Sequence, residues 1–320
     1  MNCTQDPSFP LLTIYVLIGS DQLANIRESI TSITQQIHGL PVIAVASINN
    51  PRIDASQLQD LDSALEMLHH VERVPSWRHT ELCAAHCRSP YIMAFHDDDL
   101  IAPGYLSFLI QLLTQANPPA LVTTDMRFFC GDPGELRRSQ RPYRMASLNR
   151  SQLALRMFRG DGVNFASCTY RTAALQNQHL QHLTEQFGKY GDRPQMLNCV
   201  AEGDTLIHVQ GGAVFTRVHG LQDSAQTDPM AAKHRPALLG YYGRVIRERR
   251  RFNVLLPYAV WRSLHDCLPG KEWLKLLLKL QDRPLFCLAL GLPLAFLKIL
   301  VEKSRAGLAP WLKQRQTKAL

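Results

Sequence analysis

The stretch YIMAFHDDD, residues 91–99, decides how the chain is read. Tyr91 to Phe95 is a short apolar run opened by Pro90, the length of one buried strand. It runs straight into His96 and three adjacent aspartates, Asp97, Asp98 and Asp99. Neighbouring carboxylates repel one another, and gathering them at a strand end is costly unless a cation or several donors neutralise them. Hard oxygen donors suit Mg²⁺ or Mn²⁺, which take one or two protein carboxylates and fill the rest of their shell with water and phosphate oxygens. The plainer reading is a solvated turn whose aspartates cap a helix opening at Pro103. The strand before, the proline after and the alternation on both sides favour the metal.

Working outward, Leu11 to Ile18 is another apolar, β-branched run, and Gly19-Ser20-Asp21 closes it as a turn. Residues 22–37 place Leu23, Ile26, Ile30 and Ile33 at helical spacing. Pro41 to Ala46 reads as a second buried strand, ended at Asn49-Asn50-Pro51. Residues 55–70 put Leu58, Leu61, Leu65 and Leu68 on one helical face, and Thr80 to Cys87 reads as a further helix. Past the acidic cluster, a helix is expected from Pro103 to about Gln115 and a fourth strand over 120–124. Alternation of this kind predicts parallel strands with crossover helices, whose ligands bind beyond the strands' carboxyl ends. Residues 131–160 read as a basic loop carrying Arg137, Arg138, Arg141 and Arg144. Residues 164–175 read as a strand entering a helix, 204–219 as one or two antiparallel strands, and the chain beyond 235 as helical.

Charge divides the 320 residues unevenly. Residues 231–320 hold 18 basic and 5 acidic side chains, against 17 and 22 in residues 1–230. A mildly acidic domain over 1–230 is therefore expected to carry a basic helical region over 231–320, suited to a polyanionic surface. Leu285 to Leu300 is nearly continuous in apolar residues, but Pro293 and Lys298 interrupt it, and it falls short of a span. With Arg244, Arg247, Arg249, Arg250 and Arg251 upstream, the tail reads as an element lying in a membrane interface. No aromatic side chains are interleaved with these arginines, so a nucleic-acid partner is not expected. The 8 cysteines include no CxxC pair, and the N-terminal MNCTQDPSFP has no basic segment before its apolar stretch. Reduced thiols and a cytoplasmic chain, peripheral on the inner face of a membrane, follow. His79, Cys83, His86 and Cys87 share one predicted helix, but one helix rarely supplies a tetrahedral zinc set, and buried thiols beside incidental histidines are the preferred reading.

Over about residues 11–220 the sequence resembles glycosyltransferase family 2. The resemblance rests on YIMAFHDDD followed by Pro103 and Leu106, on Phe165 to Leu175 with its Tyr170-Arg171 pair, on FGKYGD over 187–192, and on FTRVH over 215–219. It implies a GT-A-like, Rossmann-like α/β fold with a mostly parallel central sheet flanked by helices, here with a C-terminal helical appendage. It further implies an inverting, metal-dependent hexosyltransferase-type activity, with Mn²⁺ or Mg²⁺ as cofactor and a nucleotide-sugar donor such as a UDP-sugar. By position, Asp98 and Asp99 are the expected metal ligands, Asp97 lies near the ribose and phosphates, and Asp192 is the expected base. Arg217 and His219 fall near the diphosphate.

The chain departs from the family's pattern in three places. Gly191 stands where a Glu often precedes the base. Ser47 and Asn49 stand where an Asp usually reads the uracil, so they become the expected contacts to the nucleobase. The Pro-x-Tyr-Asn-like turn after the first strand is replaced by Ile18-Gly19-Ser20-Asp21. The expected function is sugar transfer to a glycan or lipid-linked acceptor in surface polysaccharide synthesis. The alternative is a GT-A-like scaffold at the membrane that has lost transfer.

Overall fold

The computed structural model describes residues 10–134, 141–159, 163, 165–218 and 230–264, together with 291, 293, 294, 296 and 297. It divides into two compact units, Met1–Thr227 and Asp228–Leu320. The first is a mixed α/β unit built on one nine-stranded sheet.

Four strands make its parallel half, in the order β3-β2-β1-β4: β1 (Leu12–Ile18), β2 (Val42–Ile48), β3 (Leu65–His69) and β4 (Tyr91–His96). β1 and β4 are buried along almost their whole length, as continuous apolar runs require when both faces of a sheet are covered. Helix α1 (Leu23–Ile37) buries Ile26, Ile30 and Ile33 completely, each contributing about 1.5–3 kcal/mol. Two serines on the same face fix its height: Ser29 Oγ donates to the His96 carbonyl at 3.0 Å, and the Ile101 N–H donates to Ser32 Oγ at 3.1 Å. Helix α2 (Ser76–His86) follows β3, and α3 (Tyr105–Leu113) follows the short β5 (Leu100–Ile101).

The other half is mixed. β6 (Leu121–Phe129) and β8 (Thr169–Arg171) continue the sheet from β4 by antiparallel pairing. β9 (Leu206–Arg217) then runs parallel to β6 and antiparallel to both β5 and β7 (Arg144–Leu148). Helices α4 (Arg150–Arg159), α5 (Thr172–Gln176), α6 (Leu180–Phe187) and α7 (Asp192–Asn198) complete the first unit. The second contains α8 (Ala231–Val245) and α9 (Arg249–Leu264). No helix among the described residues is long and apolar enough to cross a membrane. Most of the apolar stretch 285–300 lies outside them.

Several sequence expectations are corrected. Residues 55–70 are not a helix. Asp54 and Gln57 close a reciprocal cap around the single 3₁₀ turn Ala55–Gln57, and Leu65–His69 then pairs in register with Ala44–Ile48. Pairing at the sheet edge overrides the helical spacing of the leucines. The basic loop read over 131–160 holds β7 and α4, while Arg137 and Arg138 lie outside the described residues. The fourth predicted strand extends to Phe129, and of the one or two antiparallel strands read over 204–219 the structure holds one, Leu206–Arg217, which also pairs in parallel with β6.

That long strand is bent. Between Thr124 and Met126 the β6–β9 register shifts, opposite Gly211 (φ +122°) and Gly212 (φ +74°). Both glycines occupy a backbone region that L side chains rarely adopt, and the bend carries the end of β9 towards β5. A Cβ at position 212 would also run into the Arg127 side chain. Gly212→Ala is therefore expected to lower unfolding free energy by about 1–2 kcal/mol. This would read as a lower urea midpoint at unchanged m-value, and an unchanged midpoint would show that the bend does not need glycine.

Candidate active site

The acidic cluster stands at the carboxyl end of β4, where the parallel half of the sheet meets the mixed half. Its three aspartates have different surroundings. Asp97 Oδ2 accepts the backbone N–H groups of Gly19 (3.0 Å) and Ser20 (2.9 Å) in the turn after β1. Asp99 is fully buried, and its Oδ1 accepts the Arg217 N–H from the end of β9 at 3.2 Å. Asp98, between them, is half-buried.

Asp99 Oδ2 is buried without a hydrogen-bond partner; its nearest charged neighbour, His96 Nδ1, lies 3.5 Å away. Burial pushes the Asp99 carboxyl up, against the pull of His96. His96 shows the complementary effect. Burial favours its neutral form, but Asp99 first, then Asp98 and Asp97, outweigh that and push it up to about 9. One nitrogen of His96 and one oxygen each of Asp98 and Asp99 lie within 4.8 Å of one another. A buried carboxylate oxygen with no donor, next to a second carboxylate and an imidazole, fits a divalent cation of the Mn²⁺ type.

Arg217 organises this end of the sheet. Its Nε donates to the Asp98 carbonyl at 3.1 Å, its guanidinium pairs with Glu28 on α1, and it lies 4.7 Å over the Phe129 ring. It is buried. The resemblance assigned it to the diphosphate; in the structure its guanidinium braces the loop that carries Asp98. His219 lies outside the described residues.

Asp192 opens α7 and is half-buried. It lies close enough to His96 to be pulled down by its charge, and close enough to Tyr170 to push that phenol up. Burial dominates, and the Asp192 carboxyl is raised above the ordinary aspartate range. The His96 ring stacks on Phe165 (6.1 Å between centroids), which in turn meets Tyr170 at 6.2 Å. An aromatic floor thus runs from the acidic cluster towards Asp192. Tyr170 is fully buried with no hydrogen bond to its hydroxyl. Its neighbour Arg171 donates to the Pro118 carbonyl at 2.8 Å and pairs with Asp204.

The absent Glu has a packing reason. A Cβ at Gly191 would sit 3.2 Å from the Leu183 carbonyl carbon and oxygen and 3.3 Å from the Gly188 oxygen. Any longer side chain presses on helix α6 and its terminal turn.

The two residues expected to read the base are otherwise engaged. Asn49 donates to the Val74 carbonyl and accepts the Val74 N–H, both at 2.8 Å, so its amide closes the loop after β3. Ser47 is fully buried. Its Oγ lies 2.9 Å from His70 Nε2, 2.8 Å from His79 Nε2 and 3.1 Å from Cys83 Sγ. One hydroxyl has one proton and two lone pairs, so three partners saturate it. The Ser47 hydroxyl therefore has nothing left for a nucleobase in this arrangement, while the Asn49 amide keeps one N–H and one lone pair beyond its bonds to Val74. His70 escaped sequence reasoning because it ends a segment, 55–70, read as helix; Glu28 escaped because a lone Glu on a helix carries no signal.

No protein family and no curated protein matches the chain by sequence. Solved structures do match it. TarS of S. aureus is similar over 80% of this chain and 53% of its own length, at 12% identity and a TM-score of 0.51. Its segment 1–349 bound to UDP-GlcNAc is similar over 79% and 72%, at 9% identity and a TM-score of 0.51. The same segment without ligand gives 80%, 87%, 11% and 0.50. The fold is of the glycosyltransferase type. The chain spans about half the length of full TarS.

Asp97 is expected to be a hinge of the structure. Asp97→Ala removes the acceptor for two backbone N–H groups and should cost about 1–3 kcal/mol, whereas Asp97→Asn keeps an acceptor and should lose less. Urea unfolding of the two variants checks the order; equal losses would mean that the acceptor oxygen is not what matters.

Proposed function

We propose that this chain is an inverting glycosyltransferase that moves a sugar from a nucleotide-diphosphate donor to a hydroxyl of a glycan or lipid-linked acceptor. The observation that carries the reading is the placement of Asp192. A carboxylate made more basic by burial lies within electrostatic reach of the acidic end of β4, across an aromatic floor. Inversion requires such a base opposite the leaving diphosphate. In this reading Asp192 accepts the acceptor hydroxyl's proton as that oxygen bonds to C1 and the bond from C1 to the diphosphate oxygen breaks. The raised basicity of Asp192 favours the transfer.

Asp98 and Asp99, with His96 beside them, are the groups that would hold Mn²⁺ or Mg²⁺. Such an ion, when bound, supplies charge stabilisation for the departing diphosphate. Arg217 is a positioning residue: it holds the Asp98 carbonyl and the Asp99 carboxylate at fixed height. UDP-GlcNAc, present in one of the similar TarS structures, is the first donor to try. The basic region 231–320 suits attachment to the anionic inner face of a membrane, where a lipid-linked acceptor in polysaccharide synthesis would lie.

The second reading is a scaffold of this fold without transfer. The saturated Ser47 hydroxyl and the doubly bonded Asn49 amide favour it, because the usual readers of the base are absent. Isothermal titration with UDP and with GDP, with and without Mn²⁺, separates the two: metal-dependent binding supports the enzyme.

Asp98→Ala and Asp192→Asn should each reduce transfer from a nucleotide sugar by at least about 10²-fold, the lower end of what a positioned base contributes. Asp192→Asn should still bind nucleotide. Near-parental turnover in either purified variant removes that residue from the mechanism.

Asp192 also makes a stability prediction of definite sign. Its folded pKa is raised, so its favourable contribution is complete below the unfolded value of about 4 and is lost as pH rises through the folded value. Asp192→Asn has no such loss. Its melting temperature should exceed the parent's at neutral pH, with the gap closing towards about pH 4. The acidic limb of the parent's pH–rate profile should lie above the ordinary aspartate range. A gap that widens on acidification would contradict the raised carboxyl.

A further inference from the structure

A second cluster of metal-ligating side chains lies away from the aspartates, under the carboxyl ends of β2 and β3. Two elements supply it, and Ser47 on β2 meets them. His70 follows β3, while His79 and Cys83 project from one face of α2. One ligand atom from each lies within 4.8 Å of the others. The two imidazoles stand nearly perpendicular, at 80° with centroids 4.7 Å apart, and both turn Nε2 towards the Ser47 hydroxyl. We propose that His70, His79 and Cys83, with the Ser47 hydroxyl or a solvent molecule as fourth donor, form a tetrahedral site for a thiophilic divalent cation, Zn²⁺ by ligand chemistry.

The donor set is what selects the metal. Two imidazoles and a thiolate suit Zn²⁺, whereas Mg²⁺ and Mn²⁺ prefer oxygen. Zinc bonds of about 2.0–2.3 Å imply tetrahedral edges of roughly 3.3–3.8 Å, so the cluster needs to close by no more than about 1.5 Å. His79 is buried, and burial, then the neighbouring His70, push its imidazole down to about 4. Its ring nitrogen therefore keeps a lone pair for a metal at neutral pH. Cys83 is fully buried and its thiol is pushed up to about 12 by desolvation. Binding must therefore release the Cys83 proton to solvent, and affinity rises with pH. His70 is half-buried and followed by the fully exposed Val71, which leaves one side of the cluster near solvent as an entry path. Such an ion would tie β2, β3 and α2 together on the side of the sheet remote from Asp192, independently of any sugar chemistry.

Cobalt substitution of the full-length chain tests the site, because Co²⁺ reports both geometry and thiolate ligation. The apo protein titrated with Co²⁺ should show tetrahedral d–d bands and a near-ultraviolet thiolate charge-transfer band that saturate at one equivalent in Asp98→Ala and are displaced by Zn²⁺. The band should persist in Asp98→Ala, which separates this site from the acidic cluster. Cys83→Ala should lose it. His70→Ala, at a half-buried position that should fold, should weaken binding at least about tenfold. Absence of a thiolate band in the parent, or a band unchanged in His70→Ala, overturns the proposal and leaves a hydrogen-bonded hub around Ser47.

Discussion

Two carboxylates that accept backbone N–H groups anchor the end of β4, one within the parallel half of the sheet and one to the mixed half. Asp97 takes two from the turn after β1, and Asp99 takes one from the end of β9. Hydrogen bonds to a charged acceptor are the stronger kind, so these three are not incidental to the fold. Residues 97 and 99 are two apart, and their side chains reach to opposite flanks of β4. Asp98 is left between them, half-buried, on a loop whose carbonyl Arg217 also grips. The repulsion that makes three adjacent aspartates improbable is thus relieved in two ways. Backbone donors take Asp97 and one oxygen of Asp99, and His96 stands beside what remains.

This division of labour explains which features could be read from sequence. The strand ending in the aspartates and the helix carrying Ile26, Ile30 and Ile33 follow from periodicity alone, because burial there is the only force at work. The segment over 55–70 does not, because a capped turn and a parallel partner decide it and neither leaves a mark in leucine spacing. The same holds at the site. That acidic groups gather at the end of β4 was legible; that Asp97 is spent on backbone donors, and that Arg217 is buried against Glu28 and Phe129, depends on contacts across more than 75 residues of chain. Ser47 and Asn49 lie where the family resemblance put them, but their polar atoms serve other partners.

Asp192 shows the opposite balance. Burial raises its carboxyl by more than a backbone N–H and the charges of Arg193 and His96 lower it. A residue kept only for the fold would gain from being an amide there. Tyr170, buried beside it with an unbonded hydroxyl, adds to the cost. Under the proposed function this cost has a use, since a base surrounded by donors would be stabilised in its charged form and would accept a proton poorly.

The two flanks of the parallel half are consequently built on different chemistry. Towards Asp192 the wall is charged and strained by burial. Towards β3 it is neutral and internally satisfied, with Asn49 closing the loop to Val74 and Ser47 joining two imidazoles and a thiol. A nucleotide base approaching that neutral flank meets few free side-chain polar atoms, so discrimination among bases would fall to backbone groups and shape. Phosphate and metal would then contribute most of the binding, and such a site distinguishes a diphosphate from its absence more sharply than one base from another.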